Sequence, residues 1–354
     1  MKISRRLQFG RMVTPIPDRS RPVYRWFQME ESFSSQLVLT LCDLWGLGSG
    51  SLVVDPFCGA GTTLLACKER GIQSVGFDVH PLCLFVSRAK TRNYDVTGLE
   101  DRVRQILEAE DKPAEVPPEW TERYFPPGLL RDILSLRGEI ERLEGNERMF
   151  LLLGLVRAAI ACSWAEVDGA VLKVRRRRVG PFRQVLSRIL LGMLEDLRSL
   201  KTEPVEPRVE ECDARRMSLP EGSVDAAITS PPYLFKTEYI RAHRLEEWLL
   251  GLKPGQPETF FGGSSDPEAY FSDMREFAGE LARILRPGAL SCIVAADGCS
   301  RHGVVRIADR MCEIAGQAGF SVKKVLLVNE RWCTTPSRRK LGRAGEYIFI
   351  WERR

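Results

Sequence analysis

The sequence predicts an α/β protein with a seven-stranded, mostly parallel sheet interrupted by a helical insertion. Three observations lead there. Short apolar strands alternate with helical patterns from residue 51 to about 90, and again from residue 208 onward. A glycine-rich turn, Pro56-Phe57-Cys58-Gly59-Ala60-Gly61-Thr62-Thr63, joins the first of these strands to a helix. Between residues 97 and 208 the alternation stops and helical periodicity takes over.

Composition sets the outer bounds. The chain has 354 residues, 44% hydrophobic and 28% charged, as expected of a globular protein rather than a disordered or fibrous one. Lys+Arg exceeds Asp+Glu by 52 − 47 = 5, a mildly basic balance that suits a polyanionic partner without requiring one. The basic N-terminus is not followed by an apolar core, so no secretory signal is expected. The longest apolar run, Met149 to Ala161, is broken by Arg157 and falls far short of a membrane span. Ten cysteines without one CxxC pair read as reduced thiols, which points to a cytoplasmic protein. Cys299-x-x-His302 has ligand spacing but no second pair, so no metal is assigned.

Residues 34–46 show helical periodicity behind a Ser and end at Gly46. Ser51–Asp55 reads as a buried strand, followed by a helix to about Arg70, a strand at Ser74–Asp78 and a helix at Pro81–Lys90. The insertion carries helical patterns at 98–109, 129–143, 147–166 and 182–200, separated by Pro117-Pro118 and Pro126-Pro127. Met149–Trp164, apolar on nearly all sides, reads as its central helix. Strands then resume at 208–212, 224–229, 290–295, 322–328 and 347–351, with helices at about 240–251, 268–285 and 303–318. The division is thus 1–96, 97–208 (insertion) and 209–354.

The glycine loop lies at the carboxyl end of a strand, where doubly wound sheets bind ligands. A phosphate loop needs GxxxxGK[ST], and no lysine follows these glycines. A dinucleotide fingerprint needs a third glycine where Leu64 stands. S-adenosylmethionine remains, and Asp78 at the end of the next strand suits its ribose hydroxyls. A tight turn without a ligand is the plain alternative.

Val224–Thr229 ends in Ser230-Pro231-Pro232-Tyr233. Prolines fix φ and offer no N–H, so the carbonyls form a rigid corner without donors. Ser230 Oγ and the Pro231 carbonyl suit an amine donor there, and Tyr233 suits a planar ring. Taken alone, the corner also reads as an ordinary strand stop with a core tyrosine.

Taken together, Asp-Pro-Phe-x-Gly-x-Gly-Thr-Thr and the later Ser-Pro-Pro-Tyr resemble the S-adenosylmethionine-dependent amino-methyltransferases of nucleic acids, nearest the cytosine-N4 branch. The resemblance covers residues 33–92 and 209–352 and implies a Rossmann-like class I methyltransferase fold. It implies that Asp55, Pro56, Phe57, Gly59, Gly61 and Thr62 line the cofactor, that Asp78 holds its ribose, and that Asp213 reads its adenine. Phe33 and Ser34 would touch its methionine end, although the segment departs from the family's usual signature. It also implies that Ser230, Pro231, Pro232 and Tyr233 receive the target base. Transfer to an exocyclic amine is a direct displacement needing no enzyme nucleophile, and the base must leave its stack to be reached.

Lys173, Arg175, Arg176, Arg177, Arg178 and Arg183 form a dense basic run in the insertion, where the family places target recognition. It suits phosphates, though a solvated helix end is the bland alternative. Arg338, Arg339, Lys340 and Arg343 offer a second basic cluster, with Arg331 and Trp332 nearby; Trp332 reads equally as core or as a base platform. His80 and His243 have no motif and receive no role. The expectation is a DNA cytosine-N4 methyltransferase. The rival readings are a ribosomal cytidine enzyme, an adenine-N6 enzyme, a nucleic-acid-binding protein with an idle cofactor fold, and a small-molecule methyltransferase.

Overall fold

The computed structural model describes residues 2–110, 112, 115–168, 171–235, 242–253, 261–262, 264, 266–300, 302–334 and 339–354. In chain order the strands are β1 (Ser4–Arg5), β2 (Leu52–Asp55), β3 (Gln73–Asp78), β4 (Ala165–Asp168), β5 (Val171–Val174) and β6 (Arg208–Glu211). Then follow β7 (Val224–Thr229), β8 (Leu285–Ala296), β9 (Gly298–Ser300), β10 (Gly303–Val305), β11 (Phe320–Thr334) and β12 (Lys340–Arg353). One sheet of eight strands runs β1-β11-β12-β8-β7-β2-β3-β6. Only β12 is antiparallel to its neighbours. The expected seven-stranded, mostly parallel sheet is present, with two-residue β1 added beside β11. That strand is too short to leave a periodicity in the sequence.

β2 and β7 read as nearly unbroken apolar runs because helices cover both faces of the sheet. On one face lie helices Ser35–Trp45 and Thr62–Glu69; on the other lie Pro267–Ile284 and Ala308–Gln317. The first helix ends on Gly46 at φ +65°, a left-handed position that favours glycine. The long helix starts on Asp266, whose side chain accepts the Glu268 N–H.

β11 and β12 are longer than the sequence suggests. Their pairing continues through Arg331–Ala344, Trp332–Arg343 and Cys333–Gly342, whereas β12 pairs with β8 only as far as Glu346–Ala296. The two strands therefore overhang the carboxyl edge of the parallel strands by roughly 15 Å, at about 3.3 Å per residue.

The insertion is less purely helical than expected. Helices Val96–Glu108, Leu129–Glu141, Gly145–Ala161 and Phe182–Ser199 occur near their predicted places, but β4 and β5 pair as an antiparallel hairpin. Four-residue strands are too brief for alternation to stand out in the sequence. Gly145–Ala161 is indeed the central helix. At Gly154 a Cβ would lie 2.3 Å from Leu190 Cδ2, so glycine sets the close approach of this helix to Phe182–Ser199. The insertion shares one continuous core with Val23–Met29, helix Pro81–Thr91 and Leu245–Leu250.

Asp196 fastens the N-terminal segment to this core. Its buried carboxylate accepts the Val23 N–H (3.2 Å), the Trp26 Nε1–H (2.9 Å) and two Arg25 N–H groups (2.8 and 2.6 Å). Asp196→Ala should lower stability by about 2–4 kcal/mol, because buried donors lose their acceptor. Urea unfolding measures this, and Asp196→Asn should retain part of the loss.

Candidate active site

The carboxyl ends of β2, β3, β6 and β7 converge on a cavity of about 980 Å3, part of it open to solvent. Of the residues singled out in the sequence, Phe33, Asp55, Pro56, Phe57, Gly59, Thr62, Asp78, Asp213, Ser230, Pro231, Pro232 and Tyr233 line it. Residues from five separate places along the chain thus meet at one hollow.

Asp78 organises the glycine loop. Its Oδ2 accepts the Gly59 N–H at 2.9 Å and its Oδ1 the His80 N–H at 2.9 Å. Cys58 N–H donates to the Phe77 carbonyl, and Gly61 N–H to the Cys58 carbonyl. Ser87 Oγ–H closes the loop from the far side onto the Gly59 carbonyl at 2.7 Å. Gly59 and Gly61 have φ +48° and +77°. The loop packs directly on β3 because Gly76 has no side chain: a Cβ there would stand 2.6 Å from Leu64 Cδ1 and 2.8 Å from Cys58 Cβ. The sequence reading passed over Gly76.

Two expected cofactor residues are placed differently. Gly61 does not line the cavity; it faces Ser87 and serves the turn. Ser34 is fully buried and gives both its N–H and its hydroxyl to the Met12 carbonyl. Asp18 accepts the Ser35 N–H and Oγ–H at 2.7 and 2.6 Å, anchoring this helix start and leaving Ser34 no part in the cavity wall. The amides of Cys58, Gly59 and Gly61 are spent inside the protein. The loop is therefore a close-packed shelf rather than an anion nest.

Charge supports that distinction. Glu31, Asp55, Asp78 and Asp213 line the cavity, and among the described residues no Lys or Arg does. Such a wall attracts a cation and repels phosphate. Burial pushes Asp55 up to about 6, with the hydroxyls of Thr229 and Thr63 pulling the other way. Thr229 Oγ1–H lies 2.6 Å from Asp55 Oδ1. Burial also raises Asp78. For Asp213 burial acts in the same sense but is outweighed: hydrogen bonds from Arg215 hold the carboxylate below its ordinary value. Arg215 grips both Asp213 oxygens and reaches Asp273 at 2.6 Å, so Asp213 is a positioned acceptor.

At the Ser-Pro-Pro-Tyr corner, Ser230 Oγ–H donates to the Val294 carbonyl at 3.1 Å. Its one hydrogen is used, and its oxygen faces the cavity as an acceptor. Tyr233 is 8% exposed, its hydroxyl donating to Glu346 Oε1 at 2.8 Å, which fixes the ring at the cavity wall.

The sequence reading missed Met29, Glu31, Ser32, Cys58, Val79, Cys83, Cys212, Ala214 and Phe261, which also line the cavity. Several of these adjoin predicted residues, so chain proximity was their only signal. His80 also acquires a place: it is buried with its Nε2 3.2 Å from Glu247 Oε1, linking the glycine loop to helix Arg244–Leu249.

The basic run does not line this cavity. Lys173 is on β5, opposite Glu166. Arg175 pairs with Glu166 at 3.1 Å, Arg177 donates to the Ser163 carbonyl, Arg176 lies over the Trp164 ring, and Arg183 donates to the Leu107 carbonyl. The run follows a hairpin rather than ending a helix. Arg338 lies outside the described residues. Trp332 is 48% exposed, so it is not a core residue. All ten cysteines are free thiols. Among the described residues no three or more His, Cys, Asp or Glu side chains gather as a metal site, and no helix is long and apolar enough to cross a membrane.

Asp55 gives the cavity a pH signature. Its folded pKa of about 6 exceeds an unfolded value of about 3.9, so the folded state holds the extra proton between those values. Stability contributed at this position therefore falls as pH rises through that window. Asp55→Asn should be the more stable protein at pH 8, by on the order of 2–3 kcal/mol, with the difference gone near pH 4. Urea titrations at the two pH values measure it; a difference independent of pH contradicts the assignment.

Residues 33–84 match the DNA methylase family of the N6/N4 type. The type II methyltransferase M.BsoBI of Geobacillus stearothermophilus is 25% identical over 285 residues, covering 68% of this chain and 55% of that protein. The type II methyltransferase M.AvaI of Nostoc sp. is 28% identical over 275 residues, covering 66% and 55%. This chain thus spans about half the length of these relatives. Among solved structures, geranyl diphosphate methyltransferase in complex with SAM aligns over 99% of this chain and 97% of that one, at 10% identity and a TM-score of 0.40. In its glycine-loop segment and across these type II relatives, the chain is similar to the amino-methyltransferases of the N4/N6 type.

Proposed function

We propose that this chain is an S-adenosylmethionine-dependent methyltransferase acting on the exocyclic N4 amine of cytosine in DNA. The observation that carries the reading is Ser230. Its hydroxyl hydrogen is committed to Val294, so it meets an incoming amine as an acceptor, beside a carbonyl from a proline that has no N–H to offer.

The cavity suits the cofactor. Four carboxylates and no described cation favour a ligand bearing sulfonium and ammonium charge. Asp78 keeps lone pairs for ribose hydroxyls beyond those given to Gly59 and His80. Asp213, held by Arg215, is aimed to accept an adenine amino group. Phe57, packed on Phe261 at 4.9 Å, supplies an apolar wall. When bound, the cofactor supplies an electrophilic methyl group on sulfur.

The substrate amine is a weak nucleophile because its lone pair is delocalised into the ring. Ser230 Oγ and the Pro231 carbonyl, accepting its N–H groups, localise that pair and aim it. Tyr233 stacks on the extruded base, its ring held by Glu346. No nucleophilic side chain is called for. The basic run of Lys173, Arg175, Arg176, Arg177, Arg178 and Arg183 supplies phosphate contacts at a distance from the chemistry.

The test is to incubate the protein with methyl-labelled S-adenosylmethionine and unmodified DNA or ribosomal RNA, digest to nucleosides and identify the product by mass. N4-methyldeoxycytidine is expected. N6-methyldeoxyadenosine would overturn the choice of base, and label in RNA alone would overturn DNA. Cofactor binding without any product would favour an idle cofactor fold.

Ser230→Ala should lower turnover by on the order of a hundredfold with cofactor affinity near the parent value; equal loss of both would make Ser230 structural. Asp78→Asn should weaken cofactor binding roughly tenfold by calorimetry, since a charged acceptor becomes neutral.

A further inference from the structure

The overhanging strands carry a surface that the cavity chemistry does not use. Trp332 on β11 stands opposite Arg343 on β12 and is 48% exposed. The Lys340 ammonium lies 4.6 Å from its ring centroid and the Arg343 guanidinium 5.1 Å. An exposed indole flanked by two cations offers a ring face and positive charge together, which suits a partner that carries both a planar ring and a negative charge.

Trp332 borders a groove whose other wall is built from Leu7, Gly10, Arg11, Thr14 and Ile16. Arg5, Arg11, Arg331 and Arg343 line it, against one described carboxylate, Glu330, which pairs with Arg5. The groove leads to the active site. Asn329, Glu330 and Arg331 line both it and an adjoining hollow, and that hollow shares Glu31 and Tyr233 with the cavity. The hollow is acidic, through Glu30, Glu31, Glu330 and Glu346, with Arg331 at its rim. Charge is thus sorted along one trough: carboxylates toward the methyl-transfer corner, guanidiniums toward the overhang.

Resting on the function proposed above, we propose that this groove seats the DNA strand flanking the target base, with a neighbouring base stacked on Trp332 and its phosphates on Arg11, Arg331 and Arg343. Stacking on an aromatic side chain tolerates any base, while arginines follow the backbone. The acidic hollow excludes phosphate and admits only the extruded base, so the same trough that holds the strand turns its backbone away from the cavity.

The test uses the full chain and a short fluorescein-labelled DNA strand, with affinity read by anisotropy across a salt series. Trp332→Ala should bind the strand roughly tenfold more weakly, Trp332→Phe should recover most of the loss, and Arg11→Ala/Arg343→Ala should flatten the salt dependence. Cofactor affinity should stay at the parent value in all three, which reports intact folding. Parent-like affinity and salt slope in both Trp332→Ala and the double variant would overturn the proposal. Dependence on Trp332 for an RNA strand but not for DNA would overturn the occupant. The methyl-transfer assay separates the two readings. DNA methylation with Trp332-independent binding removes the groove alone. Trp332-dependent binding without methylated product removes the function alone.

Discussion

Asp78 accepts one backbone N–H with each carboxylate oxygen, from Gly59 on one side and His80 on the other, and the site is built outward from that pair. The first bond folds the glycine loop back over the end of β3; the second turns the chain into helix Pro81–Thr91. That helix returns Ser87 to the Gly59 carbonyl, so the loop is held from both flanks. Close seating on β3 is possible only because Gly76 leaves room. With the loop fixed, Asp55 and Asp78 stand at the ends of adjacent parallel strands, and the sheet geometry spaces two acids at one cavity without any contact between them being needed.

The same arrangement explains the cavity's sign. A glycine turn at a helix start is commonly a phosphate site because its amides are unsatisfied. Here the loop amides of Cys58, Gly59 and Gly61 are satisfied by protein carbonyls and by Asp78, while side-chain carboxylates face the hollow. The burial that raises Asp55 also makes its charge more effective toward a cation, since little water intervenes.

Much of this was legible in sequence, for identifiable reasons. The central strands are buried on both faces, so β2, β3 and β7 announce themselves as short apolar runs. The cavity residues fall at strand ends, where Asp55, Asp78 and Ser230 interrupt apolar stretches with polar groups. What escaped was carried by distance rather than pattern. Ser34 looked available until Met12 and Asp18 claimed the helix start. Gly61 looked like a ligand contact until Ser87 was found against it. The hairpin β4–β5 and strand β1 are too short for periodicity, and the overhang of β11 and β12 is polar enough to pass for a loop. Trp332 could be judged only by its exposure.

The N-terminal segment is stitched across the molecule by late partners. β1 pairs with β11, and Val23, Arg25 and Trp26 are gathered by Asp196. The same stretch contributes Met29, Glu31 and Phe33 to the cavity wall. During synthesis these residues leave the ribosome well before their anchors, of which Asp196 lies 170 residues beyond Trp26 and β11 further still. The wall that closes the cavity is therefore made before the partners that hold it. Until Asp196 is made Trp26 waits without its acceptor, and until β11 is made Phe33 waits without its final cover.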